Sequence, residues 1–342
     1  MRELTILLTA SGAPGTAALA RALRGNGERR VRLVGVDMAE RSIGRHLCDA
    51  FELVPPGSDP AFAEAVRDLC ARERVDAVIP QSSYDLLALA QARERFGDTV
   101  VLVARPDAVE RSSDKAETYA LLDRLGVRGP LWRRVGGPAA VEAAAHDLGY
   151  PEQDVAFKPL VSSGSRGFRV LSASADRRTQ LFDNRPGVAE ALRLEDLLAL
   201  IARDETEVLV MELAHGPERT IDGIASGGRI LLGHPKTREA TRAGLAMYFR
   251  TVEDPELMEL AAKIVAELRL DHFFNIQLVG DAVIEVNPRI STIVYQEDLN
   301  IPYLGVKHAL GELSDEELAS FRSRVRATRR ALRYFDQVEW DE

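Results

Sequence analysis

Residues 284–291 read Ile284-Glu285-Val286-Asn287-Pro288-Arg289-Ile290-Ser291, and the rest of the chain is read outward from them. On an extended strand, residues two apart point to the same side. Glu285, Asn287 and, where the extension persists past Pro288, Arg289 therefore share one face. Two oxygen donors followed by a guanidinium suit a hard cation bridging phosphate oxygens, with Arg289 placed to neutralise charge on a phosphoryl group in transfer. A polar strand facing solvent is the competing reading. The apolar residues between the polar ones and the Asn-Pro-Arg ending weigh against it.

Gln277, on the strand before, is the natural third ligand, and register decides whether it can serve. A two-residue loop, Gly280-Asp281, would set Gln277 opposite Ile284 and turn it away from Glu285. A three-residue loop over 280–282, or an equivalent bulge, sets it directly across from Glu285. The three-residue loop or its equivalent is the expectation.

Upstream, Phe157-Lys158-Pro159 precedes the small-residue loop Ser162-Ser163-Gly164-Ser165-Arg166-Gly167. A lysine ending a strand can set its ammonium on a phosphate, and such a loop lets backbone N–H groups close over a polyphosphate. Val208-Leu209-Val210-Met211-Glu212-Leu213-Ala214 is an apolar strand with a single carboxylate, suited to gripping the edge of an adenine in an apolar slot. Glu218, six residues on, is placed to accept from ribose hydroxyls. The segment 241–251 offers Arg242, Tyr248 and Arg250 for carboxylate recognition, a solvated loop being the alternative, and Ser291 is a further substrate candidate.

Toward the N-terminus, strands and helices alternate: Leu4–Thr9, a helix near Thr16, Val31–Val36, a helix over 60–74, Ala77–Pro80, a helix over 85–96, and Thr99–Val103. That rhythm predicts a parallel sheet covered on both faces. The turn Ser11-Gly12-Ala13-Pro14-Gly15 lacks the third glycine of the dinucleotide fingerprint, so Asp37 on a ribose is a disfavoured reading. Beyond about residue 105 shorter strands dominate, predicting α+β lobes, with an amphipathic helix over 255–270 and a last helix over 315–332. The arginines along that last helix read as a solvated face.

The net charge of −9 argues against nucleic acid as the main partner. Cys48 and Cys70 have neither disulfide-framework nor zinc spacing. No stretch approaches the ~20 apolar residues needed to span a bilayer, and the N-terminal apolar run is short for a signal peptide, so a cytoplasmic location is expected.

In this order and spacing the residues resemble the ATP-grasp superfamily, most nearly the branch of carbamoyl phosphate synthetase and the amino-acid ligases, over roughly residues 1–310. The resemblance implies a Rossmann-like parallel sheet over 1–105. An ATP-grasp fold of two α+β lobes would follow over 106–310, the small lobe about 125–212 and the large one about 213–310, with a helix and tail over 311–342. It further implies that Lys115 and Lys158 contact ATP, that Ser163, Gly164, Ser165 and Gly167 cover the phosphates, and that Glu212, Leu213 and Ala214 form the adenine hinge. Glu218 would bind ribose. Lys236, with Arg238 and Arg242, would line the phosphate and substrate side. Gln277, Glu285 and Asn287 would hold Mg²⁺, or Mn²⁺ in its place, and Arg289 would be catalytic. The implied activity joins a small carboxylate to an amine through an acyl phosphate, with no nucleic acid or membrane partner and with homodimerisation allowed. Carboxyphosphate chemistry and non-catalytic ATP binding are the alternatives. Thr292 stands where the synthetase has a second arginine, which weighs against carbamate phosphorylation.

Overall fold

Three runs of buried aliphatic residues organise the N-terminal part of the protein, seen in a computed structural model that describes residues 2–160, 167–176, 182, 191–242, 245–291 and 299–340. The elements are β1 (Leu4–Leu8), α1 (Thr16–Arg24), β2 (Val31–Asp37), α2 (Gly44–Leu47), β3 (Ala50–Leu53), α3 (Phe62–Glu73), β4 (Ala77–Ile79), α4 (Ser83–Ala92) and β5 (Val100–Val101). They form a parallel sheet in the order β3-β2-β1-β4-β5. Leu4, Ile6, Leu7 and Leu8 of β1 are all fully buried, because helices cover both faces of a parallel sheet. The strand order reverses direction between β1 and β4, so the loops after those two strands diverge and leave a crevice. Asp37 is spent within the first turn: its carboxylate accepts from the Gly12 N–H at 2.7 Å. A Cβ on residue 12 would lie 2.9 Å from that same oxygen, which explains the glycine.

Helices α5 (Pro106–Ser113) and α6 (Lys115–Leu125) lead into a second sheet. Asp114 caps α6 by accepting from the N–H groups of Ala116 and Glu117. The elements β6 (Trp132–Gly136), α7 (Pro138–Asp147), β7 (Val155–Pro159), β8 (Arg169–Leu171), β9 (Ala191–Leu192), α8 (Leu194–Leu200) and β10 (Glu207–Glu212) follow, with sheet order β6-β10-β7-β8-β9. Val141 and Ala145 of α7 and Leu197 of α8 pack on Val155, Leu171 and Val210.

The third sheet runs β12-β11-β15-β16, built from β11 (Glu218–Ser226), β12 (Arg229–Arg238), β15 (His272–Val279) and β16 (Ala282–Asn287). Ile221, Ile276, Leu278 and Val286 line its back face and pack on Leu257, Ala261, Ile264, Val265 and Leu268 of helix α9 (Pro255–Leu268). On the front face, Ile224, Leu232 and Phe273 pack on α10 (Ile301–Ala309). The rest of that front face is polar.

The hairpin at the end of this sheet departs from the expected loop. Val279 pairs with Ala282, so the turn is the two-residue Gly280-Asp281 and not a three-residue loop. The register is recovered by the bulge: Leu278 pairs with Val283, but Gln277 pairs with Glu285, leaving Ile284 as the extra residue. The bulged backbone is held from outside. The buried Tyr119 hydroxyl donates to the Ile284 carbonyl at 3.0 Å, and the Val283 N–H donates to the Arg128 carbonyl at 2.9 Å.

The segment 241–251, read as a possible solvated loop, is instead a ribbon of β13 (Ala240–Arg242) and β14 (Leu245–Arg250). The expected last helix over 315–332 is also corrected. Helix α11 spans only Asp315–Ser320 behind a Ser314/Glu317 capping box, and the chain then turns into β17 (Arg330–Leu332), which pairs with β14. Local contacts with the rest of the protein win over the helical pattern here. The Arg322 guanidinium donates to the Ile230 and Leu231 carbonyls, and Arg330–Leu332 supplies the third strand of the ribbon. The arginines of this region therefore do not form one helix face. No helix among the described residues is long and apolar enough to cross a membrane.

Replacing Tyr119 with Phe deletes the buried donor to the bulge. Net hydrogen-bond magnitudes put the expected loss of stability at about 1–2 kcal/mol, read from the urea midpoint; an unchanged midpoint would show that the bulge does not depend on this bond.

Candidate active site

Register across β12-β11-β15-β16 sets two polar rows side by side. Lys236, Thr220, Gln277 and Glu285 occupy one, and His234, Asp222, Asn275 and Asn287 the next. Strand alternation brings each set to the front face.

A hydrogen-bond chain orients the second row. The Asp222 carboxylate takes the Asn275 amide at 3.0 Å and the Thr220 hydroxyl at 3.2 Å, and lies 3.3 Å from the Lys236 ammonium. An ionised carboxylate only accepts, so Asn275 must turn its NH₂ toward it and its oxygen toward Asn287. Asn287 accordingly donates its NH₂ to Asn275 at 3.3 Å. Its own oxygen is left for a cation. In the first row Gln277 donates its NH₂ to Glu218 at 3.5 Å, which leaves the Gln277 oxygen beside Glu285.

Gln277, Glu285 and Asn287 thus offer a carboxylate and two amide oxygens. Among the described residues no group of three or more His, Cys, Asp or Glu gathers for a metal. One carboxylate with two neutral oxygens fits Mg²⁺, which keeps water and phosphate oxygens in its shell and needs few protein charges.

Cations ring this set. The Lys115 ammonium, at the first residue of α6, lies 3.8 Å from Glu285. Burial lowers the Lys115 pKa, with Glu285 and Asp114 opposing. Lys158, on β7, is driven down to about 7 by burial and then by the charge of Lys115. Lys236 is fully buried against Asp222 and the Phe249 ring, and burial lowers it too. Arg289 leaves the end of β16, donates from Nε to the Ser83 hydroxyl at 3.1 Å and from Nη1 to the Ile290 carbonyl. A pocket lies between Lys115, Glu285 and Asn287 on one side and Ser83 and Tyr84 of α4 on the other, with Pro288 at its wall.

Other expected residues take different places. The Glu212 carboxylate accepts from Arg128 at 2.7 Å and from the Leu131 N–H at 3.0 Å, so it is engaged at the start of the 212–214 segment, and Leu213 and Ala214 follow beyond β10. Glu218 also pairs with Arg238 at 3.3 Å. Gly167 has a positive φ of 71°; Ser163, Gly164, Ser165 and Thr292 lie outside the described residues. Arg242 sits over the Phe335 ring, Arg250 pairs with Glu239, and Tyr248 lies on β14 opposite Leu332, all on the separate ribbon. Ser291 follows the arginine, half-buried. Thr220, Asp222 and Asn275, whose hydrogen-bond chain orients Asn287, were not singled out from sequence. Their signal was there: Thr220-x-Asp222 and Asn275-x-Gln277 repeat the spacing of Glu285-x-Asn287 within apolar strands.

Comparison with known proteins agrees with this geometry. Residues 204–331 match the family described as ATP-grasp in the biosynthetic pathway with Ter operon, and residues 6–104 match the PylC-like N-terminal domain. The arginine-specific large chain of carbamoyl phosphate synthase from Neurospora crassa is 22% identical over 227 residues, 63% of this chain, and the match spans 18% of that relative. An L-amino acid ligase from Bacillus licheniformis superimposes with a TM-score of 0.66 at 16% identity, over 96% of this chain and 79% of that one. The biotin carboxylase domain of the Hydrogenobacter thermophilus 2-oxoglutarate carboxylase, solved with MgADP and bicarbonate, gives 0.63 at 15% identity, over 91% and 70%. The chain thus carries an ATP-grasp domain match over residues 204–331 behind a PylC-like N-terminal domain over residues 6–104.

Proposed function

We propose that the protein is a Mg²⁺- and ATP-dependent ligase that joins a small carboxylate to an amine, releasing ADP and phosphate. The observation that carries this reading is the pairing of Gln277 with Glu285 beside Asn287, with Arg289 bonded to Ser83 at the wall of the pocket that Glu285 and Asn287 line. A protein that only held a nucleotide would have little use for a guanidinium beyond the metal ligands.

In this reading Lys115 and Lys158 hold the polyphosphate, the segment 163–167 covers it, and the backbone of 212–214 grips the adenine. Glu218 meets the ribose. Gln277, Glu285 and Asn287 would hold Mg²⁺, which would supply positive charge to the phosphoryl group in transfer. The substrate carboxylate oxygen attacks the γ-phosphorus, and the bond to the β–γ bridging oxygen breaks to release ADP. Arg289 lies where charge collects on the phosphoryl oxygens. The amine nitrogen then attacks the acyl carbon, the carbon–oxygen bond to phosphate breaks with its electron pair leaving on phosphate, and the nitrogen gives up a proton. Arg242, Tyr248, Arg250 and Ser291 are the proposed recognition residues for the acid. The setting is cytoplasmic and the assembly a homodimer.

The test is phosphate release from MgATP across a panel of carboxylic acids, each with and without mixed amino acids. Release that needs both acid and amine supports the ligase; release with bicarbonate alone moves the assignment to carboxyphosphate chemistry. Arg289→Ala should lower kcat by on the order of 10²–10³, the loss typical of a missing transition-state donor. EDTA should abolish release, with Mg²⁺ restoring it.

Lys158 gives a pH signature. Its ammonium titrates near 7 in the free protein, and a bound polyphosphate favours the charged form. Above that pH binding must therefore take up a proton, and ATP affinity should weaken by up to about tenfold per pH unit. Calorimetry in buffers of different ionisation heat at pH 8 reads the uptake directly, and Lys158→Met should remove it. Equal heats for both proteins would exclude Lys158 from the phosphate site.

A further inference from the structure

At the crevice of the N-terminal sheet, Arg289 from the end of β16 donates to the Ser83 hydroxyl. Ser83 is the first residue of α4, and several constraints fix where that residue stands. The Ser82 hydroxyl caps the helix by accepting from the Tyr84 N–H at 3.1 Å, which sets the start of the first turn. One turn in, the buried Asp85 carboxylate takes the Thr9 hydroxyl at 2.7 Å, pinning the helix to the end of β1. Against the other side of Asp85 comes the Gly57 turn, where a Cβ would lie 2.5 Å from its Oδ1. The first turn of α4 is thus held by its cap, by β1 and by a neighbouring turn. Ser83 and Tyr84 of that turn also wall the pocket that holds Lys115, Glu285 and Asn287.

A long guanidinium loses much rotamer freedom when it is fixed, and Arg289 is held at two points, Nε on the Ser83 hydroxyl and Nη1 on the Ile290 carbonyl. We infer that Ser83 is a positioning residue for Arg289, so that the N-terminal domain aims the phosphoryl-stabilising guanidinium of the large sheet. This rests on the ligase reading. It means that catalysis depends on the N-terminal domain staying docked against the end of β16, in addition to whatever substrate that domain binds. Nearby, the charge of Arg289 opposes the burial that pushes the Asp85 carboxyl up to about 6, which places the two groups within electrostatic reach of each other.

The experiment uses the full-length protein with Ser83→Ala, Ser83→Thr and, for assignment, Arg289→Lys. In arginine-labelled protein without ligands, the Arg289 Nε–H resonance should exchange slowly with solvent in wild type and Ser83→Thr and rapidly in Ser83→Ala. With MgATP and whichever acid and amine the phosphate-release panel identifies, Ser83→Ala should lose about tenfold in kcat with KM for ATP unchanged, the size of one hydrogen bond to a charged group. Threonine, which keeps the hydroxyl, should restore the rate. A full rate in Ser83→Ala overturns the inference and leaves the ligase reading standing, provided that Arg289→Ala is impaired. So does a Ser83→Ala defect shared between kcat and KM that threonine fails to rescue, since that marks general disruption. A wild-type protein silent with every acid overturns both.

Discussion

One surplus residue in a hairpin holds this site together. With Ile284 bulged out, Glu285 and Asn287 fall into the rows that Gln277 and Asn275 already share with Thr220, Asp222 and Lys236; with a regular two-residue hairpin they would not. A slip of one residue turns a whole strand over, because side chains alternate. The bulge therefore has to be fixed from outside the sheet. Tyr119 and Arg128, from α6 and the segment after it, do that on the open edge of β16. The same arrangement covers an edge that would otherwise offer unpaired backbone groups to another chain.

Much of this was legible in the sequence. The Glu-x-Asn-x-Arg alternation put Glu285 and Asn287 on one face, and the demand that Gln277 join them predicted either a longer loop or a bulge. The choice between the two was beyond sequence reasoning, since it turns on a tyrosine 165 residues away in the chain. The parallel N-terminal sheet was read correctly because its strands are unbroken aliphatic runs. Helix α2 and strand β3 were missed because one is a single turn and the other is only half buried. The expected helix over 315–332 failed for a tertiary reason: its second half is bonded to β12 carbonyls and to β14. The polar residues that turn the ligands escaped notice because they matter only through register.

The cations show what such a site costs. Lys115, Lys158 and Lys236 are buried, and burial opposes the charge of each. Lys236 is compensated by Asp222 within the sheet. Lys158 is opposed further by Lys115 and helped by the charge of Glu285. In the proposed function, polyphosphate charge entering among these groups would relieve repulsion already present in the folded protein, which would link binding energy and folding energy at this point.

The β17–β14 pairing bears on how the molecule assembles. Alone, β13 and β14 make a two-stranded ribbon, which is marginal in water. Its third strand arrives about eighty residues later, carrying the Arg329 N–H to the Thr251 hydroxyl and the Arg333 N–H to the Met247 carbonyl. Closing a loop of that length is entropically expensive before any contact repays it. On a ribosome, the ribbon would emerge with only its β12 contacts and would lack its third strand until residues 330–332 had been made and released from the exit tunnel. The segment bearing Arg242, Tyr248 and Arg250 would then be among the last parts of the protein to settle, long after the sheets on either side of it had formed.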